Sequence, residues 1–377
     1  EDVMALLDGV SRNLLYDAEA RKYPDVATFA FFCRRAHLLQ LAEQYHGRME
    51  GRIGRGLVFH IAPSNVPINF AYTLVMGLLA GNTCVAKASS KSFPQTEIVA
   101  AAFREEIAKL ELPRMRDRVF VVEYGRKQQD VTEAFSAICH VRVIWGGDAT
   151  IRAVREAELP PRSFDVTFAD RYSLAALSAA TVLAMSQEPE KLRRLAQAFY
   201  NDTYLYDQNA CSSPRLICWV GEPDVTEAAR QAFWKAVHET LRNRYSVEPV
   251  VAVDKWTAAC RTAIEVPGAQ IERGVDNRIV RVAVPELTVQ LPELRSAGGL
   301  YHEYAATSLE ALAGIVDEKY QTLSYYGLDP GELRAFVLAH GLLGIDRIVP
   351  VGRTAEMGTV WDGQDFIETL SRIVALI

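Results

Sequence analysis

The chain has 377 residues, 49% of them hydrophobic, and a formal net charge of −6. That is apolar material enough for two globular domains, and the acidic balance excludes nucleic acid as the main partner, because phosphate binding needs a basic surface. The longest apolar stretch, residues 66–81, is shorter than the roughly 20 residues that cross a bilayer and contains Asn69, so no membrane span is expected. The acidic opening EDVMALLDGV puts no basic segment ahead of an apolar one, which predicts no signal peptide and a cytoplasmic protein.

Residues 1–50 read as helices, and the apolar spacing of 26–46 predicts one uninterrupted helix there. "LVFHIA" (57–62) is a short buried strand, ended by "PSN". Pro67 then opens a helix that runs to Gly81, since proline at a first helical position gives up an N–H that would be unpaired anyway. Strand and helix alternate from there: "TCVAKA", "TEIVAAAFREEIAKL", "RVFVVEY", "DVTEAFSAI", "VRVIW" and "ATIRAVREA". This alternation predicts a parallel sheet with helices on both faces. A second region begins near residue 195, with a long helix at 226–245 and strands at "RIVRVAV" and "LTVQL". Near 344 the chain turns β-like again at "GIDRIVPVG", and "DG" at 362–363 reads as a turn. The expected division is therefore 1–194, 195–343 and a closing segment 344–377.

Parallel sheets bind ligands at the carboxyl ends of their strands, and Ser64, Asn65, Lys87 and Gly146 to Asp148 fall there. Each has two readings. Asn65 is an N-cap or an amide donor aimed at a developing oxyanion. Lys87 reaches solvent or holds a ribose or phosphate. "WGGD" (145–148) is a turn with Asp148 as its cap, or a backbone approach to pyrophosphate at a helix N-terminus. His302 and Glu303, following "GGL", read as a polar loop.

Six cysteines stand at 33, 84, 139, 211, 218 and 260. None forms a C-x-x-C pair and no histidine sits at ligand spacing from a cysteine pair, so no metal site is expected. Cys33, Cys84, Cys139 and Cys218 lie in helix or strand patterns and read as core. Cys211, in the polar "DQNACSSPR", is either core filler or a nucleophile.

Four blocks, in order, resemble the aldehyde dehydrogenase superfamily and, within it, the acyl-CoA reductase (LuxC) family. They are "HIAPSNVPINFAYTLVMGLLAGNTCVAKASSKSFPQT", "VIWGGDATIRAVR", "YNDTYLYDQNACSSPRLI" and "DRIVPVGRTAEMGTVWDGQDFIETLSRIV". The resemblance covers about residues 50–377. It implies an aldehyde dehydrogenase-like α/β fold with two Rossmann-like parallel-sheet domains: a cofactor domain (1–194, with N-terminal helices) and a catalytic domain (195–343). Residues 344–377 would return to the cofactor domain or to an oligomer interface. The matching positions make Cys211 the catalytic nucleophile and Asn65 the oxyanion donor. Lys87 matches the lysine that holds the adenosine ribose. Pro63, Ser64, Gly147 and Asp148 match cofactor contacts. Ser90 stands where NAD-preferring relatives often carry a glutamate, and a small neutral residue leaves room for a 2′-phosphate, so NADPH is the expected cofactor.

Two blocks of hydrolytic aldehyde dehydrogenases are missing. Where "LELGG" supplies a water-activating glutamate, this chain has "VTFADRYSL"; where "EIFGP" grips the nicotinamide ribose, it has "SAGGLYHEY". Loss of the glutamate suits an enzyme whose acyl thioester must not be hydrolysed. The resemblance therefore implies NADPH-dependent reduction of an acyl-CoA or other acyl thioester to an aldehyde. It also implies a homo-oligomer and an acyl-activating synthetase or transferase partner. The alternatives are an ordinary NAD(P)-dependent aldehyde dehydrogenase and a catalytically silent nucleotide-binding subunit.

Overall fold

In the computed structural model the chain forms two compact units, residues 1–170 with 357–377 and residues 171–356. The structure describes residues 1–63, 66–110, 113–125, 127–272 and 274–376. Ser64 and Asn65 lie outside the described residues.

The first unit begins with α1 (Asp2–Tyr16), α2 (Pro24–Phe32) and α3 (Arg35–Gln44). The single helix expected over 26–46 is broken at Cys33–Arg34, where Arg34 is extended with ψ 141°. A tertiary contact outweighs local propensity here, since Asp8 of α1 accepts the Arg35 N–H at 3.2 Å; locally, His37 Nδ1 lies 2.7 Å from the Phe32 carbonyl across the break. Next come β1 (Arg52–Gly54), β2 (Leu57–Ile61), α4 (Asn69–Leu79), β3 (Thr83–Lys87), α5 (Pro94–Lys109), α6 (Pro113–Arg116) and β4 (Val119–Val122). After them follow α7 (Gln129–Ile138), β5 (Val141–Trp145), α8 (Asp148–Arg155) and β6 (Phe164–Phe168). Five of these strands make a parallel sheet in the order β4-β3-β2-β5-β6. Alternate side chains bury against opposite faces: Val58, Cys84 and Val143 join one apolar cluster, and Phe59, Val85 and Ile144 the other.

In the second unit the chain forms β7 (Tyr172–Ser178), α9 (Ala179–Met185), α10 (Pro189–Asp202), β8 (Pro214–Val220), α11 (Pro223–Leu241) and α12 (Pro249–Glu265). It continues through β9 (Gln270–Glu272), β10 (Val280–Ala283), β11 (Leu300–Ala306), β12 (Tyr320–Tyr326), α13 (Pro330–His340) and β13 (Arg347–Pro350). The sheet order is β13-β12-β7-β8-β11-β10-β9, parallel except for β9 at the edge. Segment 171–194 groups with this unit, because β7 hydrogen-bonds to β8 on one side and β12 on the other; the even strand–helix alternation carries no mark of that boundary.

"LTVQL" is not a strand. It turns into a 3-10 helix at Leu291–Leu294, with the Leu291 N–H bonded to the Thr288 carbonyl at 3.3 Å and Val289 62% exposed, against the alternation a strand would need. His302 and Glu303 are not in a loop but inside β11, and both are buried. Glu303 accepts from the indole N–H groups of Trp219 and Trp234 at 2.9 and 2.7 Å and from Arg230 and Arg281 at 2.8 and 3.0 Å. A buried carboxylate with four donors is a structural tie.

The chain closes with β14 (Val360–Trp361), β15 (Gln364–Asp365), α14 (Phe366–Thr369) and β16 (Ser371–Ile373). The "DG" turn joins β14 to β15, with Asp362 and Gly363 at φ 46° and 69°. β16 pairs antiparallel with β1, and Phe366, Ile367 and Leu370 enter the first unit's core. Residues from 357 onward thus fold with the first unit, while β13 folds with the second. Among the described residues no helix is long and apolar enough to cross a membrane.

Candidate active site

Cys211 sits in a turn just ahead of β8, so it lies at the amino ends of its sheet's strands rather than the carboxyl ends. The turn is built from both sides. Asp207 and Gln208 are left-handed, with φ 51° and 58°, a conformation that non-glycine residues adopt only when something holds them there. Gln208 is fully buried and supplies the hold. Its Nε2 donates to the Pro214 and Leu300 carbonyls at 3.0 Å each. Its Oε1 accepts from the Gly299 and Leu300 N–H groups at 2.9 and 3.2 Å. One side chain thereby ties the cysteine loop to the start of β11. Gly299 is required there: its φ is +92°, and a Cβ would stand 2.2 Å from the Arg278 carbonyl oxygen. Arg215 closes the loop, donating to the Gln208 carbonyl at 2.6 Å and the Ala210 carbonyl at 3.4 Å.

Within the loop the Ser213 N–H bonds to the Ala210 carbonyl at 3.0 Å, presenting Cys211 at the tip of a turn. Ser173 Oγ donates to the Cys211 carbonyl at 2.7 Å and accepts the Thr322 N–H at 3.2 Å. Gln321 Nε2 donates to Cys211 Sγ at 3.4 Å. Cys211 is half-buried, whereas Cys33, Cys84, Cys139 and Cys218 are buried and Cys260 is exposed. Burial pushes the Cys139 thiol up to about 11 and the Cys218 thiol up to about 12, and it drives Cys33 and Cys84 in the same direction. In all four, burial disfavours the thiolate, the form that attacks. A half-buried thiol with an amide donor on its sulfur can act as a nucleophile.

The first unit gathers the other expected positions at the carboxyl edge of its sheet. Lys87 and Ile144 both pair with Ile61 of the central strand β2, which puts them about 10 Å apart across it. The Ala62 N–H bonds to the Lys87 carbonyl at 3.0 Å, so Pro63 follows directly beyond this edge. Lys87 Nζ lies 4.8 Å from the Tyr124 ring centroid and 3.5 Å from the Ala88 carbonyl. Gly147 caps α8, with Asp148 in its first turn, and both are exposed, as is Ser90. Gly147 has φ −67° and a Cβ there would meet nothing within 4 Å, so the fold itself does not demand glycine. An ammonium, a bare backbone at a helix N-terminus and a small neutral Ser90 fit a dinucleotide.

The profile of the acyl-CoA reductase (LuxC) family matches residues 32–374. The chain belongs to that family. Similar curated proteins are the long-chain acyl-protein thioester reductases of Aliivibrio fischeri (25% identical, covering 45% of this chain and 33% of that one) and Photorhabdus luminescens (24%, 86% and 63%). This LuxC-family chain thus spans under two thirds of either relative. Its fold is that of the aldehyde dehydrogenases. The benzaldehyde dehydrogenase of Corynebacterium glutamicum superposes with a TM-score of 0.64 at 16% identity, covering 98% of this chain and 84% of that one. The lactaldehyde dehydrogenase of Escherichia coli gives 0.63 at 13%, covering 93% and 78%. Sequence reasoning did not find Ser173, Gln321 or Thr322; the last two stand more than 100 positions from Cys211, in a strand without any chemical motif. Gln208 was legible only as a letter of the cysteine block.

Proposed function

We propose that this protein reduces an acyl thioester to an aldehyde with NADPH through an acyl-Cys211 intermediate. The observation that carries the reading is Cys211 itself: a half-buried thiol, tied at its carbonyl by Ser173, with the Gln321 amide on its sulfur. The Cys211 thiolate attacks the thioester carbonyl. A carbon–sulfur bond forms to Sγ, the donor's carbon–sulfur bond breaks, and the donor leaves as a thiolate. Exchange between thioesters is nearly isoenergetic, so no strong base is needed beyond what generates the Cys211 thiolate. The nicotinamide cofactor, when bound, supplies the hydride that reduces the acyl carbon. Collapse of the resulting hemithioacetal returns the electron pair to Sγ and releases the aldehyde.

Lys87, Pro63, Ser64, Gly147 and Asp148 would hold the cofactor, and Ser90 would leave space for the 2′-phosphate of NADPH. The oxyanion role of Asn65 is carried by the family resemblance alone. "VTFADRYSL" supports reduction over hydrolysis, since it has no glutamate to activate water against the acyl-enzyme. The names of the relatives favour a long-chain acyl group, carried on CoA or on a protein. A homo-oligomer and an acyl-supplying synthetase or transferase belong to the same reading.

The test is intact mass after mixing with a panel of acyl-CoAs in the absence of reduced cofactor. An acyl-sized gain in the native protein, absent from Cys211→Ala and discharged as aldehyde by NADPH, is expected. Folded, NADPH-binding protein that takes up no acyl group from CoA esters or from an acylated carrier protein would refute the reaction.

A further inference from the structure

An amide beside a thiolate has opposite effects depending on which end faces it. Its N–H₂ stabilises the charge; its oxygen repels it. The surroundings of Gln321 fix which end is presented. We infer that Gln321 is a catalytic donor to the Cys211 sulfur, held in that orientation by a relay from Arg347 through Thr322. The inference rests on Cys211 being the nucleophile.

The relay starts at a group that can only donate. Arg347 Nη1 lies 3.5 Å from Thr322 Oγ1, and Thr322 Oγ1 lies 3.3 Å from Gln321 Oε1. A guanidinium has no acceptor, so the hydroxyl accepts from it and directs its single proton to Gln321 Oε1. The amide oxygen is thereby engaged, and the N–H₂ end faces Sγ at 3.4 Å. Turning the amide over would leave the hydroxyl proton without its acceptor and set a carbonyl oxygen against the developing thiolate.

Adjacent residues of a regular strand point to opposite faces, so Gln321 and Thr322 should not meet. They meet because β12 is irregular at that place. Tyr320 pairs with Tyr172 and Leu323 with Leu174, so two residues, Gln321 and Thr322, oppose the single residue Ser173. A second irregularity lies on the other side of Ser173: Ser173 pairs with Pro214 and Leu174 with Leu216, which leaves Arg215 as the extra residue. Bulges re-aim side chains, at the cost of a regular ladder. Both bulges here aim their residues at the cysteine loop.

Arg347 is itself anchored. Its register partner on β12 is Thr322. It donates to the Thr354 and Glu356 carbonyls at 3.1 and 2.9 Å. That loop is held in turn by Asp202, which accepts the Gly352 and Thr354 N–H groups at 2.6 and 2.9 Å. The other charged groups on the elements packed around the loop have contacts of their own. Arg215 is bound to loop carbonyls, Arg295 donates to the Arg171 carbonyl at 3.1 Å, Lys319 stands 3.8 Å from Glu293, and Arg353 bonds to Glu356 at 2.7 Å. Tyr172 and Tyr320 flank Ser173 and Gln321, and burial pushes both phenols up. All of these persist when Gln321 or Thr322 is changed, so variants read the relay by difference.

The experiment is alkylation of the full chain by iodoacetamide from acidic to alkaline pH, quantified on the Cys211 peptide. The Cys260 peptide of the same digest is an internal reference, since that thiol is exposed. No acyl thioester is present, so the outcome is independent of the proposed reaction. Gln321→Met removes the donor at similar volume. It should raise the midpoint of Cys211 alkylation by roughly one pH unit, a tenfold smaller thiolate fraction at neutral pH, as expected for one lost hydrogen bond. Thr322→Val lets the amide turn over and should move the midpoint the same way by a smaller amount. The Cys260 profile should not move. A purely structural Gln321 would change the plateau rate through access and leave the midpoint in place; an unmoved midpoint in Gln321→Met overturns the inference. Should that variant fail to fold, an unmoved midpoint in Thr322→Val overturns it equally. A midpoint that depends on both Gln321 and Thr322 in a protein that accepts no acyl group would keep the relay and sink the reaction.

Discussion

Replacing Gln208 by alanine tests whether one side chain builds the cysteine loop. Four hydrogen bonds of 2.9–3.2 Å are lost together, two donated to the Pro214 and Leu300 carbonyls and two accepted from Gly299 and Leu300. All four partners are backbone groups in a buried setting, and an ordinary intramolecular hydrogen bond is worth about 1 kcal/mol net. Alanine takes the left-handed φ of 58° at about the same cost as glutamine, so that contribution cancels. The expected loss is therefore about 3–5 kcal/mol, a large share of the roughly 5–15 kcal/mol that stabilises a typical domain. Urea denaturation gives the magnitude, and amide hydrogen exchange of the peptides covering 208–220 and 298–306 gives the location. Exchange should rise in both peptides before it rises in the strands of the first unit. A loss below about 1 kcal/mol with unchanged exchange in both peptides would show that Arg215 and the glycines hold the loop without Gln208.

Two further outcomes follow from the same unit. Gly299→Ala forces a Cβ to within 2.2 Å of the Arg278 carbonyl at φ +92°, so the loop must shift; the expected cost is at least about 2 kcal/mol, and an unchanged melting temperature would contradict it. Burial raises Asp202 to about 6 from its ordinary 3.8, although the Gly352 and Thr354 N–H groups oppose the rise. A folded carboxyl that holds its proton more tightly than the unfolded one stabilises fully below about pH 4 and loses that contribution as pH rises through about 6. The change is at most about 3 kcal/mol. Asp202→Asn should flatten stability across that window in urea titrations at several pH values, and an identical slope in the variant would refute the assignment.

Much of the first unit was legible because its strands are short apolar runs and some of its helices carry breakers at their ends: α2 and α5 open at a proline, and α4, which begins at Asn69 two residues past Pro67, stops just before Gly81. "LVFHIA", "TCVAKA" and "VRVIW" became β2, β3 and β5 within a residue of where the pattern placed them. Local pattern failed where tertiary partners intervened. Asp8, far along the chain, takes up the Arg35 N–H and helps set the start of α3. "LTVQL" alternates like a strand yet turns, because the segment bonds within itself and runs directly into Pro292. His302 and Glu303 looked like a polar loop because a sequence shows polarity but not its partners: two arginines that neutralise Glu303, two indoles that donate to it, and the Tyr172 and Thr262 hydroxyls beside His302.

The cysteine block behaves the same way at finer scale. Residue types and their order determined that one thiol differs from the four read as core, and that a lysine and a glycine pair stand at the ends of strands of one parallel sheet. Local periodicity and short-range turn chemistry suffice for that. Which groups touch the thiol was decided only by tertiary structure. Ser173, Thr322, Gln321 and Arg347 arrive on three strands, Gln321 and Thr322 through a bulge of β12 that shifts register by one residue. A one-residue slip exchanges the faces of a strand, and periodicity averaged along a segment cannot show it. The donor on Cys211 is therefore a property of strand pairing, fixed when β7, β8, β12 and β13 come together.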